Sequence, residues 1–142
     1  MTDCIFCQMV AERAKAYRLL EDDDTLAFLN IAPATVGHAL VIPRRHAEGL
    51  WDLGDDEHAQ VARAVSRVAR LLRLALMPAG LNLAHAAGPE AWQTVFHFHV
   101  HVIPRYRPEE LRVMWQAEQA PDGELEALQR RVLACRGQLP DG

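Results

Sequence analysis

The stretch Val95–Ile103, V-F-H-F-H-V-H-V-I, alternates strictly, and the rest of the chain is read outward from it. In an extended strand neighbouring side chains point to opposite faces. His97, His99 and His101 therefore share one face, and Phe98, Val100 and Val102 share the other. One face is a row of imidazoles and the other belongs to a core. The pattern predicts a strand over 95–103 closed by Pro104, which has no N–H for a ladder. Three histidines in five residues, out of seven in the chain, is not a packing solution. A buried imidazole needs partners for both nitrogens, and its charge is costly to bury. Two chemistries suit such a row. H-x-H on a strand can put two imidazoles on one ion, and three can make a catalytic zinc site. Alternatively, one imidazole attacks an electrophile while its neighbours orient it and handle protons. The spacing leaves both open.

Four more strands surround this one. Leu19–Glu21 and Thr25–Asn30 flank the turn Asp22-Asp23-Asp24. Ile31–Gly37 holds Pro33 and Gly37 and reads as a loop, and His38–Pro43 is a third strand. Leu81–Ala84 is a short strand before a loop over Ala86–Thr94. From Asp55 the period changes: Val61, Val65, Val68 and Leu72 recur at three and four residues, the mark of an amphipathic helix over Asp55–Met77. Asp55 is the expected N-cap, Arg63, Arg67 and Arg70 lie on the wet side, and Pro78 and Gly80 end the helix. A second helix is expected at Glu124–Arg136, after Pro121-Asp122-Gly123. With no regular alternation of strand and helix, the pattern is α+β: a mostly antiparallel five-stranded sheet, one long helix and a short C-terminal helix.

Composition narrows the function classes. The chain has 142 residues, 50% hydrophobic and 24% charged, enough for one domain with a core. Fifteen Lys and Arg against 19 Asp and Glu give a net charge of −4, so no basic excess drives nucleic-acid binding. The apolar segment Ala69–Met77 is too short and too Arg-punctuated to span a bilayer, and no secretory signal pattern opens the sequence. Cys4, Cys7 and Cys135 are no disulfide framework, which points to a reducing compartment and a cytoplasmic protein. Cys4-x-x-Cys7 offers two thiolates that one zinc can share, at the start of a short turn and brief helix over Cys4–Arg13. A redox dithiol is disfavoured because no thioredoxin-like βαβ unit follows it. Cys135 reads as a plain helix residue, His58 as a solvated one, and His85 as a residue beside the histidine strand.

His97–Ile103 resembles the His-φ-His-φ-His-φ-φ signature of the histidine triad family of nucleotide hydrolases and transferases. Cys4-Ile5-Phe6-Cys7 looks like the family's zinc-bearing N-terminus. Phe28–Pro33, Gly37–Pro43 and His46 resemble its central block. Gly80-Leu81-Asn82, Gly88 and Gln93-Thr94-Val95 lead into the histidines at the family's spacing, and Pro104-Arg105 follows them. The resemblance implies a histidine triad domain over 1–106, with 107–142 as an extension packed on the same domain.

The resemblance also implies chemistry. His46 and His97 match positions used by zinc-bearing relatives and would complete a structural Cys2His2 zinc site with Cys4 and Cys7. His99 would attack the α-phosphorus of a nucleotide derivative, leaving a nucleotidyl-imidazole that water hydrolyses. His101 would hold phosphate oxygens or assist proton transfer. Gln93 would bind developing negative charge, and Thr94 falls near the leaving group. Phe6, Leu29 and Ile31 would form the nucleoside slot, with Asn30 near the ribose, His38 close behind and Trp92 bordering the site. The substrate would be a dinucleoside polyphosphate or an adenosine phosphoramidate, and the expected assembly is a homodimer. Three positions depart from the family pattern: Asn30 where many relatives have Asp, Ala86 where Asn or Gln is usual, and Trp92 where Gly is common. The alternatives are a nucleotidyl transferase, which passes the nucleotide to an acceptor other than water, and a nucleotide-binding regulatory protein with little turnover, which the loss of a phosphate-reaching amide at Ala86 would permit.

Overall fold

Short alternating runs build the sheet, and a single long amphipathic helix covers one of its faces. A computed structural model describes residues 3–112 and 117–140. In chain order the elements are α1 (Ile5–Val10), β1 (Arg18–Glu21), β2 (Thr25–Leu29), β3 (Ala39–Pro43), α2 (Asp55–Leu76), β4 (Gly80–Ala84), β5 (Val100–Arg105) and α3 (Asp122–Leu133). The five strands form one sheet in the order β1-β2-β3-β5-β4, and every pairing is antiparallel. The α+β class expected from the sequence is the observed one. Two compact units divide the chain, one through Leu111 and one from Arg112 onward. α3 belongs to the second unit and starts at Asp122, two residues ahead of the expected Glu124.

The helix-covered face of the sheet carries Ala27, Ala39, Val41 and Val102, which share a core with Phe98, just ahead of β5, and with Val61, Ala64, Val65, Val68 and Leu72 of α2. Each large side chain buried here contributes roughly 1.5–3 kcal/mol. The opposite face buries Leu26, Phe28, Leu40 and Ile42 against Phe6 and Met9 of α1. His101 pairs with Leu40, so the imidazole row belongs to this second face.

The long helix starts one residue earlier than its acidic run suggests. Gly54 is the N-cap, and its N–H donates to Oε2 of Glu57 at 3.0 Å. Asp55 is therefore the first helical residue, and the acids of the first turn face the positive end of the helix dipole. Met77 closes the helix in a left-handed conformation, ahead of Pro78.

The expected strand over 95–103 is corrected at both ends. β5 begins only at Val100, because the preceding residues lack ladder partners. The β3–β5 pairing stops at Val41↔Val100, two residues short of Pro43, which has no N–H to offer. The β4–β5 pairing stops at Ala84↔His101. At the other end β5 runs through Pro104 to Arg105. Pro104 pairs with Leu81 of β4, while the β3 side is already open beyond Ala39↔Val102, so the missing N–H costs no ladder bond there. Thr35 reaches across that open side and donates its hydroxyl to the Pro104 carbonyl at 2.6 Å.

Candidate active site and metal centre

Once the ladder ends, one backbone bond and the imidazoles hold the 95–99 segment. The Phe98 N–H donates to the Ala47 carbonyl at 2.7 Å. Nε2 of His97 lies 2.8 Å from the Pro43 carbonyl, and Nδ1 of His99 lies 2.7 Å from the His97 carbonyl. A carbonyl only accepts, so each of these nitrogens carries the proton and the other nitrogen of each ring is bare. His97 thus presents a bare Nδ1, and His99 a bare Nε2.

The bare Nδ1 of His97 lies 3.4 Å from Sγ of Cys4 and 3.5 Å from Sγ of Cys7. Nδ1 of His46 lies 3.3 Å from Sγ of Cys7. All four ligand atoms fall within 4.8 Å of one another. A tetrahedral zinc with bonds of about 2.0–2.3 Å separates its ligands by about 3.3–3.8 Å, so the cluster has the size and donor set for one such ion. The Pro43 carbonyl is the outer partner that fixes the tautomer of His97, as ligating imidazoles require. His97 is fully buried, and burial pulls its pKa down to about 4, which keeps the ring neutral and able to ligate. Cys4, Cys7, His46 and His97 therefore form a zinc site as the sequence leads one to expect. With four protein ligands the site is closed, which marks it as structural. It ties the N-terminal turn to the residue after β3 and to the start of the histidine row.

A second pair of imidazoles stands beside His99. Nδ1 of His38 accepts the Ala34 N–H at 3.0 Å, so the proton of His38 is on Nε2. That Nε2 donates to Nδ1 of His101 at 2.8 Å. His101 is then left with its own proton on Nε2. Neighbouring rings, with centroids 5.0 Å apart, are thus set in opposite tautomers: His99 with a bare Nε2, His101 with a protonated one. Burial lowers the pKa of His38 and of His99, and it holds His101 at about 4, where His99, His38 and His85 add repulsion. Near neutral pH the whole row is uncharged. It offers one nucleophilic lone pair next to one hydrogen-bond donor.

The other expected site residues divide. Phe6 is buried with its edge on His99, at a centroid separation of 5.4 Å, and on Phe28 at 5.4 Å, so it backs the row from α1. Leu29 ends β2 half-buried. Asn30 follows it, its N–H donating to the His38 carbonyl and its Oδ1 accepting the Ala32 N–H at 2.9 Å, which leaves its amide NH2 available. Ile31 is 80% exposed, Trp92 is 66% exposed and Thr94 is exposed. Trp92 has φ +69°, a left-handed conformation that glycine adopts freely and an indole-bearing residue does not. Gln93 is buried with its amide fully engaged: Nε2 donates to the Glu48 and Val95 carbonyls at 2.5 and 3.1 Å, and Oε1 accepts the Gly88 N–H at 2.8 Å. It braces the loop that leads into the histidines.

Two partnerships escaped the sequence. His38 is bonded to His101, 63 positions away, which only the β3–β5 register discloses. His85 donates from Nδ1 to the His99 carbonyl at 2.8 Å; its position just past a strand end was the only signal.

Comparison with known proteins gives a consistent picture. A model of the HIT domain matches residues 11–108. Protein hit of Bacillus subtilis is 42% identical over 104 residues, 73% of this chain and 72% of that protein. The crystal structure of a histidine triad nucleotide-binding protein from Candida albicans superposes with a TM-score of 0.88 at 28% identity, covering 97% of this chain and 100% of that one. A zinc-bound histidine triad family protein from Mycobacterium smegmatis superposes with a TM-score of 0.72 at 37% identity, over 96% and 97% of the two chains.

Proposed function

The chain belongs to the HIT domain family, and on that footing we propose that it is a nucleotide hydrolase working through a covalent nucleotidyl-His99 intermediate. The observation that carries this reading is the opposed pair of tautomers, a bare Nε2 on His99 beside a protonated Nε2 on His101. The substrates it suits are nucleoside 5′-phosphoanhydrides and phosphoramidates, the dinucleoside polyphosphates among them. For an anhydride, Nε2 of His99 attacks the α-phosphorus and an N–P bond forms. The P–O bond to the leaving phosphate breaks, and its electron pair goes with the leaving group. His101 donates from Nε2 to a phosphate oxygen as charge builds, a contribution of several kcal/mol in sites of this kind. Because Nδ1 of His99 keeps its proton, the adduct is an imidazolium and leaves phosphorus readily. Water then attacks, the N–P electron pair returns to Nε2, a nucleoside monophosphate departs and a proton passes to solvent.

Phe6, Leu29, Asn30, Ile31 and Trp92 make up the proposed nucleoside subsite, with the Asn30 amide toward the ribose and the exposed indole of Trp92 toward the substrate. Thr94 stands at the leaving group. The role assigned to Gln93 is bracing the approach loop, since its amide is engaged. The role assigned to His38 is holding the tautomer of His101. The zinc, when bound, supplies a structural crosslink and takes no part in phosphorus chemistry. The proposal includes a two-fold dimer through β4 and α2: β4 is an edge strand with Leu83 56% exposed, and Met77 at the helix end is 82% exposed.

The test is to quench turnover of diadenosine polyphosphate at neutral or basic pH and look for the adduct by mass spectrometry. A nucleoside monophosphate on the peptide holding His99 is the expected result. Binding of the nucleotide with no turnover and no adduct would replace this reading with that of a binding protein, and an adduct passed to a second acceptor would make it a transferase.

A further inference from the structure

We propose that His85 is a positioning residue for His99, standing in for a ladder donor that the sheet no longer supplies. The inference rests on the reading of His99 as the nucleophile. Three imidazole-to-carbonyl bonds run through the segment where β5 has lost its neighbours: His97 to Pro43, His99 to His97, and His85 to His99. The first two orient the zinc ligand and the nucleophile themselves. The third arrives from the β4 side, where backbone pairing has ended one residue earlier at Ala84↔His101. Backbone pairing there would hold the His99 peptide. Instead the side chain of the next residue turns in and donates Nδ1–H to the His99 carbonyl at 2.8 Å.

The His85 ring is itself held in place. It lies on the Phe98 ring with centroids 4.4 Å apart and planes inclined by 36°. Phe98 is in the main core beneath the sheet. Nε2 of His85 is buried with no hydrogen-bond partner among the described residues, so Nδ1 makes the ring's one hydrogen bond there, and it is spent on the His99 carbonyl. Fixing that carbonyl fixes the peptide plane, and hence the direction of the His99 Cα–Cβ bond. An aim error of about 1 Å at an attacking atom is enough to cost on the order of a hundredfold in rate.

The test compares His85→Leu with His85→Asn in the full-length zinc-loaded protein. Leucine keeps apolar bulk against Phe98 and removes the donor. The asparagine amide nitrogen is the same number of bonds from the backbone as Nδ1, so it can restore the bond. His85→Leu should lower kcat about tenfold or more with KM nearly unchanged, and His85→Asn should recover most of the loss. A second readout does not need turnover: 15N NMR of the imidazoles should show His99 losing its pure Nδ1–H tautomer in His85→Leu and regaining it in His85→Asn, with one zinc per chain in both. If the protein proves to have no hydrolase activity, the tautomer shift still decides the positioning. An unchanged His99 tautomer and unchanged kcat in His85→Leu, or equal losses in both variants, would overturn the inference.

Discussion

His99 and His101 are chemically the same side chain, and their surroundings alone give them different tasks. One carbonyl takes the Nδ1 proton of His99, and one imidazole donates to Nδ1 of His101. The functional reading predicts that His99→Ala loses at least about three orders of magnitude in turnover, while zinc content and melting temperature stay near wild type. His101→Ala should cost less, because it removes a donor and leaves the nucleophile. Near-normal turnover by His99→Ala would end the mechanism. Protonation gives a second prediction. His38 and His101 are held neutral by burial, with His101 at about 4 and faced by His99, His38 and His85. In the unfolded chain both titrate near 6.5. Below about 6.5 the unfolded state binds protons that the native pair refuses, His101 down to about 4, so the pair's contribution to stability falls as pH drops from about 6.5 and is constant above 7. Urea midpoints measured across that range should show the fall, and His38→Gln should lessen it by the share of His38 itself. A wild-type midpoint independent of pH between 4.5 and 7 would count against a neutral pair.

At the scale of elements, the periodicity of α2 was legible because its stripe is set by local spacing: Val61, Val65, Val68 and Leu72 are all buried. Its exact start was not. The capping acid is Glu57, which accepts from Gly54 and pairs with Arg45 at 2.6 Å. Hydrogen bonds from Arg45 and from the Gly54 backbone hold the Glu57 pKa down to about 2, so its stabilisation is present above the unfolded value and is lost as pH falls through about 2. Glu57→Ala should lower stability by about 1 kcal/mol at neutral pH, as cap losses do, and thermal melts at matched pH check it. Gly37 marks another element boundary. Its φ is +85°, and a Cβ there would collide with Leu76 at the end of α2. Gly37→Ala should therefore cost on the order of 1–3 kcal/mol, more than an exposed-loop substitution. Equal melting temperatures would show that α2 has room to move. The alternation over 95–103 overextends the strand for a related reason. Alternation sets which way side chains point, and that parity holds, but a strand also needs neighbours, and β3 runs out at Pro43.

For the molecule as a whole, the zinc site joins residues 4, 7, 46 and 97, so removing the ion should open a tie between α1, the end of β3 and the histidine row. Elemental analysis should find one zinc per chain. Stripping it with a chelator should lower the melting temperature by several degrees, as the loss of a tightly held native-state ligand does. No change on removal would show that the crosslink is idle. The proposed dimer predicts a two-chain mass by light scattering at micromolar concentration, weakened by Leu83→Glu on the exposed edge strand. A monomer mass throughout would reject it. Among the described residues no helix is long and apolar enough to cross a membrane.

What the sequence determined by itself is everything set by local spacing and residue chemistry. The facing of His97, His99 and His101, the apolar stripe of α2, the α+β class and the paired cysteines Cys4 and Cys7 are consequences of periods of two and 3.6 and of side-chain type. The rest of the zinc site and the family were legible as a resemblance of ordered motifs. Only the tertiary structure decided which nitrogen of each imidazole is bare. A tautomer is set by the partner of the opposite nitrogen: for His97 and His101 it comes from far along the chain, the Pro43 carbonyl and His38, and for His99 it is the His97 carbonyl, which the local backbone brings within reach. It alone also turned His85 from a neighbour of the site into a hydrogen-bond donor to the His99 peptide, because that contact exists only where the β4–β5 ladder stops.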